Sequence, residues 1–578
     1  MSEIAVPGAQ VRVESRPFLG WLEVLLLATM FTAADACKPL HIDDTAYYYY
    51  ARQMAEHPAD PYDFRILWYE TWEPANDVLA PPVLPYWWAL AVRLFGQQPV
   101  LWKLWLFPFA LLFVATCKML FARFAPGLQR PLLWMTVFSP VFLSAFNLML
   151  DIPSLALGLA GVVLFMKAIE RGSVSWALAA GLIGGLAMQT KYTALLLPGV
   201  FAAYALTVRR PVISRLILWL VCCAGSLAVF AGWEAFLTWR HPEMGSHFLN
   251  SVRQNQNPML PLLWQNAQAL LPLIGSVLAP IGLLAAAALR WPLRFVGIMA
   301  GLIVLVGALI ASLDIRFTND GLARGGSQVE PDGSYPFEPV LLGALGLATA
   351  AAILLVSWRL VRGTSDNEQR RLDWFLVLWL LVELAGYMIL NPFPAVRRLM
   401  GVTVVATLLA GRLASRASPG KRHVLVWAIA AFNMVLGLAY AAVDYHEAWG
   451  RKTATEAAAA FIKRRDTEHA VWFTGHWGLQ FYAEQAGMSP VALGETRLSA
   501  GDWVVVPDIG VTAQDFRPDG ARMTAVESIS VTSPAPVTTV GQAYGGYYGT
   551  GTGAALVHQN GPIVRVTIYR VKRAFLVQ

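Results

Sequence analysis

The chain has 578 residues, 56% of them hydrophobic and only 14% charged, with 22 Trp and 28 Phe; this excludes a soluble globular protein and indicates a polytopic membrane protein. The formal charge of +7 lies in short basic clusters between apolar runs, so it reads as membrane topology, and no nucleic-acid partner is expected. Four cysteines without a CxxC pair give no disulfide framework and no cysteine metal motif.

The first apolar run, residues 18–36, is a retained span rather than a cleavable signal peptide, because two acids follow it in place of a small-residue cleavage site. Crossing about 30 Å of hydrocarbon at 1.5 Å per residue takes about twenty apolar residues. About thirteen such runs begin near Phe18, Leu101, Pro131, Ile152, Trp176, Thr193, Leu216, Leu271, Phe295, Pro339, Trp374, Val396 and Val424. The pair around Lys191 also reads as one broken helix. With the N-terminus inside, the connections carrying Lys118, Arg123 and Arg130, or Arg209, Arg210 and Arg215, or Arg412 and Arg416, fall on the cytoplasmic side, as the positive-inside rule requires. An odd span count then divides the chain into a membrane domain, 1–443, and an external domain, 444–578.

The first external loop, 37–98, is too long for a mere connector. Its Asp43 and Asp44 stand at the bilayer edge, where unpaired acids are costly without a task. The alternative is that one or both cap the helix that follows. Tyr47, Tyr48, Tyr49 and Tyr50 read as a short helix on the membrane surface. Pro81 and Pro82 break the chain before a second aromatic, amphipathic stretch, 84–95. These aromatics form either a vestibule for a lipid head group or an anchoring belt. Glu70 and Glu73 precede that break, and Glu73 is a candidate cavity residue.

The tail reads as an amphipathic helix at 447–465, strands at 470–473, 503–507 and 564–570, and a helix opened by Gly475-His476-Trp477-Gly478, together a small α/β domain. His476 and Trp477 either cap a membrane cavity or pack locally. The Gly- and Tyr-rich stretch 541–553 lacks the strand and helix of a nucleotide site and reads as a flexible loop.

One order of motifs resembles a known family. A first span is followed by Asp43-Asp44 and Tyr47, then by Pro81-Pro82 and Tyr86, by Asp151-Ile152-Pro153 at a span start, and by Gly185-Leu186-Ala187-Met188-Gln189-Thr190-Lys191. This order is similar to that of the C-type membrane glycosyltransferases, in the branch of protein O-mannosyltransferases and lipid A aminoarabinose transferases. The resemblance spans roughly 18–442. It implies a C-type fold and transfer of a sugar, with inversion, from a polyprenyl-phosphate donor to a lipid, glycan or protein acceptor. It also implies a bacterial inner membrane and a periplasmic or extracellular tail.

Carried over, the family's first-loop acid falls on Asp43, a candidate general base for a weakly nucleophilic hydroxyl, with Asp44 beside it. The second external acid falls on Asp151, which orients the acceptor, assists a metal, raises the pKa of Asp43 by like-charge proximity, or caps its helix beside Pro153. A leaving phosphate needs fixed cations, and the candidates are Lys191, Arg253, Arg397 and Arg398. His247 and Arg253 resemble the family's His-x4-Arg, with one extra residue between them. Tyr47, Glu73 and His247 are further substrate or metal candidates. No cofactor is implied with certainty; a divalent metal held by His241, Glu243 or His247 with a first-loop acid is left open. Relatives of the aminoarabinose type carry Glu-Lys-Pro where this chain reads Ala80-Pro81-Pro82, which implies another sugar. A glycolipid flippase and a polymerase or ligase of undecaprenyl-linked glycans are the alternative functions; ionisable groups gathered at one face favour the enzyme over the transporter.

Overall fold

A computed structural model describes residues 17–578 apart from 69–70, 79, 255–258, 314, 319–320, 325–334, 364–365, 417–420, 510–515, 541–546, 550–553, 560 and 578. Among the described residues nine helices are long and apolar enough to cross a membrane, or up to ten if the bent pair Met259–Val277 and Ala279–Ala288 counts as one span. The chain is a polytopic helical membrane protein.

The difference from thirteen has three sources. The run from Pro131 is split into Gln129–Val137 and Pro140–Leu143; Ser139 caps the second piece by accepting from the Val141 N–H at 3.2 Å, and Pro140 brings no amide donor to continue the first. The runs from Trp176 and Thr193 become Val174–Met188 and Tyr192–Thr207, each shorter than a span, parted where Lys191 takes an extended backbone (φ −157°, ψ 126°). The run from Leu271 is bent by 73° after Val277. Hydropathy counts apolar residues and is blind to breaks in the helical hydrogen-bond ladder.

Small residues let these helices meet at backbone distance, since lipid offers no hydrophobic drive for helix association. Val174–Met188 packs on Val212–Arg240, and a Cβ added at Gly185 would come within 2.8 Å of the Ser226 carbonyl oxygen. Met259–Val277 and Glu338–Arg362 meet at Gly275 and Gly346, each facing a carbonyl of the other helix, that of Leu342 and of Leu271.

The loop 37–98 folds into the helix Asp44–Glu56, a hairpin of Arg65–Trp68 with Thr71–Pro74, the turn Ala75–Asp77 and the helix Val83–Phe95. The first helix is covered rather than laid open on the surface, for Tyr48, Tyr49 and Tyr50 are all buried. Tyr48 stacks on Trp102 with ring centroids 4.8 Å apart and meets Phe481 of the tail edge-on at 5.4 Å.

The last span runs without interruption into the tail as one 43-residue helix, Lys421–Lys463, where the sequence reading placed a boundary at Asp444. Beyond it lies a five-stranded mixed sheet in the order Met523–Thr532, Pro562–Val571, Trp503–Ile509, Val471–Phe473, Ser489–Pro490. The helix Trp477–Gln485 connects its last two, parallel strands. The sheet buries Val505, Val566 and Ile568 against Ala458 and Ile462 of the long helix.

The tail is fastened to the loop. Thr45 Oγ1 donates to the Trp477 carbonyl at 2.6 Å, and the Leu40 N–H donates to Tyr482 Oη at 3.0 Å. His476 and Trp477 accordingly pack against the loop beside Thr45 and Tyr49. Part of 541–553 lies outside the described residues, but Tyr547 and Tyr548 within it are buried, which corrects the flexible-loop reading at those positions. Tyr547 Oη donates to the Pro140 carbonyl at 2.7 Å, and Tyr548 Oη lies 2.7 Å from the Asp444 carboxylate.

Candidate active site

Ile42 enters the first loop helix with φ 51°, in the left-handed region, and the two acids after it part company. Asp44 is fully buried; its Oδ2 accepts from the His41 N–H at 3.0 Å and lies 3.8 Å from Lys103 Nζ. Burial pushes the Asp44 carboxyl up to about 6 against the pull of Lys103. Asp43 turns the other way, into a cavity of about 500 Å³. It occupies the cap position of the helix, yet its side chain makes no capping hydrogen bond.

Four further charges from distant parts of the chain face Asp43 in that cavity. Arg397, at the entry to the span Val396–Ser415, donates from Nη1 to Asp43 Oδ2 at 3.0 Å and lies 3.9 Å from Asp151 Oδ2. Lys191, at the break between two short helices, donates to Asp151 Oδ1. Asp43, Arg397, Asp151 and Lys191 thus form a chain of alternating charge. Arg398 is outside that chain and makes no ion pair among the described residues; its guanidinium sits 5.1 Å from the Phe393 ring centroid. Arg397 and Arg398, both candidate phosphate cations in the sequence, both line the cavity.

A second cavity, of about 100 Å³, shares Asp151, Lys191, Arg397 and Arg398 with the first and continues between spans past Leu159, Trp379 and Met400. The charge cluster therefore stands at a junction, with a groove lined mainly by apolar side chains, together with Glu383 and Asn391, on one side and a chamber lined by loop residues on the other.

Tyr47 and Glu73 line the larger chamber. Burial, then the Asp43 charge, holds the Tyr47 hydroxyl above the usual phenol range. Burial and Asp77 push the Glu73 carboxyl up. His247 stands behind the wall, fully buried and stacked on Tyr62 at 4.6 Å. Its Nε2 faces the Val78 carbonyl at 3.1 Å and its Nδ1 faces Tyr192 Oη at 2.7 Å. Burial lowers the imidazolium to about 4, so the ring is neutral near pH 7. A neutral ring has one N–H; placed on Nε2 it donates to Val78, and Nδ1 accepts from Tyr192.

Arg253 is not brought to this group. It is exposed and lines neither cavity, because six residues along a helix turn it about 240° away from His247. His241 pairs with Asp60 at 3.2 Å and Glu243 at 3.4 Å. Among the described residues no group of three or more His, Cys, Asp and Glu side chains is gathered as a metal cage. Asp43 and Asp151 are already bonded to Arg397 and Lys191, a donor set that does not fit a divalent ion.

Two sets of residues escaped the sequence reading. Glu234 is an acid inside the span Val212–Arg240, and an ionisable residue at membrane depth was the signal available for it. Lys38, His41, Asp444 and Arg451 are all buried; Lys38 Nζ lies 2.6 Å from Asp444 and His41 Nδ1 lies 2.8 Å from Arg451. Nothing local in the sequence announces that pairing across some four hundred residues.

Residues 80–236 match the family model described as dolichyl-phosphate-mannose-protein mannosyltransferase. The resemblance is to a glycosyltransferase family. The match bears out the likeness to the C-type membrane glycosyltransferases and covers Asp151 and Lys191. A comparison with curated proteins finds no match. Among solved structures, the chain is similar to the oligosaccharyltransferase AglB of Archaeoglobus fulgidus in complex with an inhibitory peptide and a dolichol-phosphate, with 12% identity and TM-score 0.45 over 85% of this chain and 70% of that one. It is also similar to ArnT of Cupriavidus metallidurans bound to undecaprenyl phosphate, with 16% identity and TM-score 0.39 over 86% of this chain and 94% of that one.

Proposed function

We propose that this chain is a C-type glycosyltransferase that moves a sugar from a polyprenyl-phosphate donor to an acceptor at its extracytoplasmic face, with inversion and with Asp43 as general base. The observation that carries the reading is one chamber in which the Asp43 carboxylate faces Lys191, Arg397 and Arg398, with a mainly apolar groove opening beside the cations. The carrier phosphate binds at the junction, its isoprenoid chain leaves along the groove, and the sugar lies in the chamber toward Asp43.

In the reaction the acceptor oxygen bonds to the anomeric carbon as its proton passes to Asp43. The bond from that carbon to the phosphate oxygen breaks, and its electron pair stays on the phosphate, where Lys191 and Arg398 meet the developing charge. Asp151 holds Lys191 and helps hold Arg397. Residues 444–578 form an extracytoplasmic domain on the Asp43 side, as the contacts of Trp477 and Tyr482 with the loop support.

The test is to supply purified protein in detergent with undecaprenyl-phosphate donors carrying radiolabelled hexoses or pentoses, together with extracted cell-envelope glycans. At least one donor is expected to lose its label to the acceptor fraction and leave free undecaprenyl phosphate. Vesicle experiments showing lipid translocation without cleavage of the sugar bond would replace this reading with a flippase.

A further inference from the structure

Glu234 is a buried carboxylate that this transfer scheme leaves unused. It is 9% exposed within the helix Val212–Arg240, where an acid is costly unless it is well bonded. Its Oε2 accepts from Ser246 Oγ at 2.6 Å and from the Phe248 N–H at 3.1 Å. Its Oε1 lies 3.4 Å from Gln189 Nε2 and 3.4 Å from Tyr192 Oη. The first two donors start the helix His247–Gln254; Gln189, two residues before Lys191, is the donor to Oε1, while Tyr192, just after Lys191, faces Oε1 and gives its proton to His247 Nδ1.

One carboxylate therefore joins two segments that are separate in the chain. Lys191 leaves its helix with an extended backbone, so the direction of its side chain depends on what holds Gln189 and Tyr192. His247 reinforces the linkage by receiving Tyr192 and holding Val78, and both Tyr192 and Val78 line the chamber. The short bonds lie on the side of the helix His247–Gln254 and the long ones on the Lys191 side, so that helix is the fixed end and the Lys191 break is the end being steered.

We propose that Glu234 is a positioning residue that steers Lys191 from the helix His247–Gln254 and thereby sets how tightly the donor phosphate is held; this rests on the reading of Lys191 as a phosphate cation. The probe is sugar-free undecaprenyl phosphate, titrated onto full-length protein in detergent, alongside KM and kcat for a turned-over donor. Glu234→Gln keeps the volume but sets an amide against the donors, and Ser246→Ala removes the shortest bond together with the one Ser246 Oγ accepts from the Leu249 N–H, so the second variant tests the linkage if the first does not fold.

Both variants are expected to weaken undecaprenyl phosphate by about tenfold, the size of one lost hydrogen bond to a charged group, to raise the donor KM by a similar factor, and to lower kcat by no more than Lys191→Ala does, since Lys191 also meets the leaving charge. Placed on Lys191→Ala, neither should weaken binding further, because the effect runs through Lys191. Wild-type binding in both variants, or losses that add to that of Lys191→Ala, would overturn the proposal alone. A wild-type protein that does not bind undecaprenyl phosphate would overturn the donor reading and this proposal with it.

Discussion

The Arg397 guanidinium donates to the Asp43 carboxylate across 3.0 Å, tying the loop 37–98 to the entry of a span and the proposed general base to the proposed phosphate cations. On the proposed scheme a donor phosphate would compete for that guanidinium with charge-assisted bonds of its own, freeing Asp43 for the acceptor. Arg397→Lys keeps the charge and loses the planar fork. Transfer is expected to fall by about 10²-fold, with a smaller change in donor affinity, as steady-state kinetics with labelled donor would measure.

Acid should act on His41 and Asp44 in opposite senses. Burial raises the Asp44 carboxyl from 3.8 to about 6, so the folded chain takes up that proton first; its contribution to stability grows as pH falls from about 6 to about 4 and is lost on the way back up. Burial and Arg451 lower His41 from 6.5 to about 3, so the unfolded chain takes up that proton first, and stability is lost as pH falls below 6.5. Asp44→Asn removes the first effect and leaves the second. Its melting temperature in detergent is expected to drop more steeply between pH 6 and pH 4 than that of the wild type.

Gly275→Ala and Gly346→Ala should each destabilise the membrane domain, since a Cβ at either site overlaps a facing carbonyl and forces two helices apart. The expected loss is about 1–3 kcal/mol, the usual cost of overpacking. Thermal unfolding in detergent would show it, with Gly301→Ala, an exposed helical glycine where a Cβ meets nothing within 4 Å, as the neutral control.

Tyr548→Phe should loosen the tail. The hydroxyl it removes lies 2.7 Å from Asp444 and 2.9 Å from the Ser144 carbonyl in a buried site, at a cost of about 1–3 kcal/mol. Limited proteolysis is expected to release the tail sooner, while Tyr547→Phe, which leaves the bond to Asp444 intact, should have less effect on its release.

The charged site was legible in the sequence to a large degree, and for a physical reason. Asp43, Asp151, Lys191, Arg397 and Arg398 interrupt or flank apolar runs, and at a bilayer edge such residues are too costly to be incidental. The strands around Val505 and Val566 and the helix after His476 were equally readable from period and turn residues. Arg253 was misplaced because a motif spacing stretched by one residue rotates a helical side chain to another face. The span count ran high because Ser139-Pro140 and Lys191 break the helical ladder without changing hydropathy. The linkage of Lys38 and His41 to Asp444, Arg451 and Tyr548 stayed hidden because it depends on pairing between the ends of the chain, and Tyr547 and Tyr548 were masked by the glycines around them.

The most direct measurement is transfer by Asp43→Asn. Asparagine keeps the volume of the side chain and its place at the start of the helix but cannot take a proton, and losing a general base typically costs 10²–10⁴-fold. With purified protein, labelled polyprenyl-phosphate sugar and acceptor, the variant is expected to bind the donor as the wild type does, to melt within a few degrees of it, and to transfer sugar at least about 10²-fold more slowly. Transfer at near wild-type rate by a variant that binds donor normally would contradict the role assigned to Asp43.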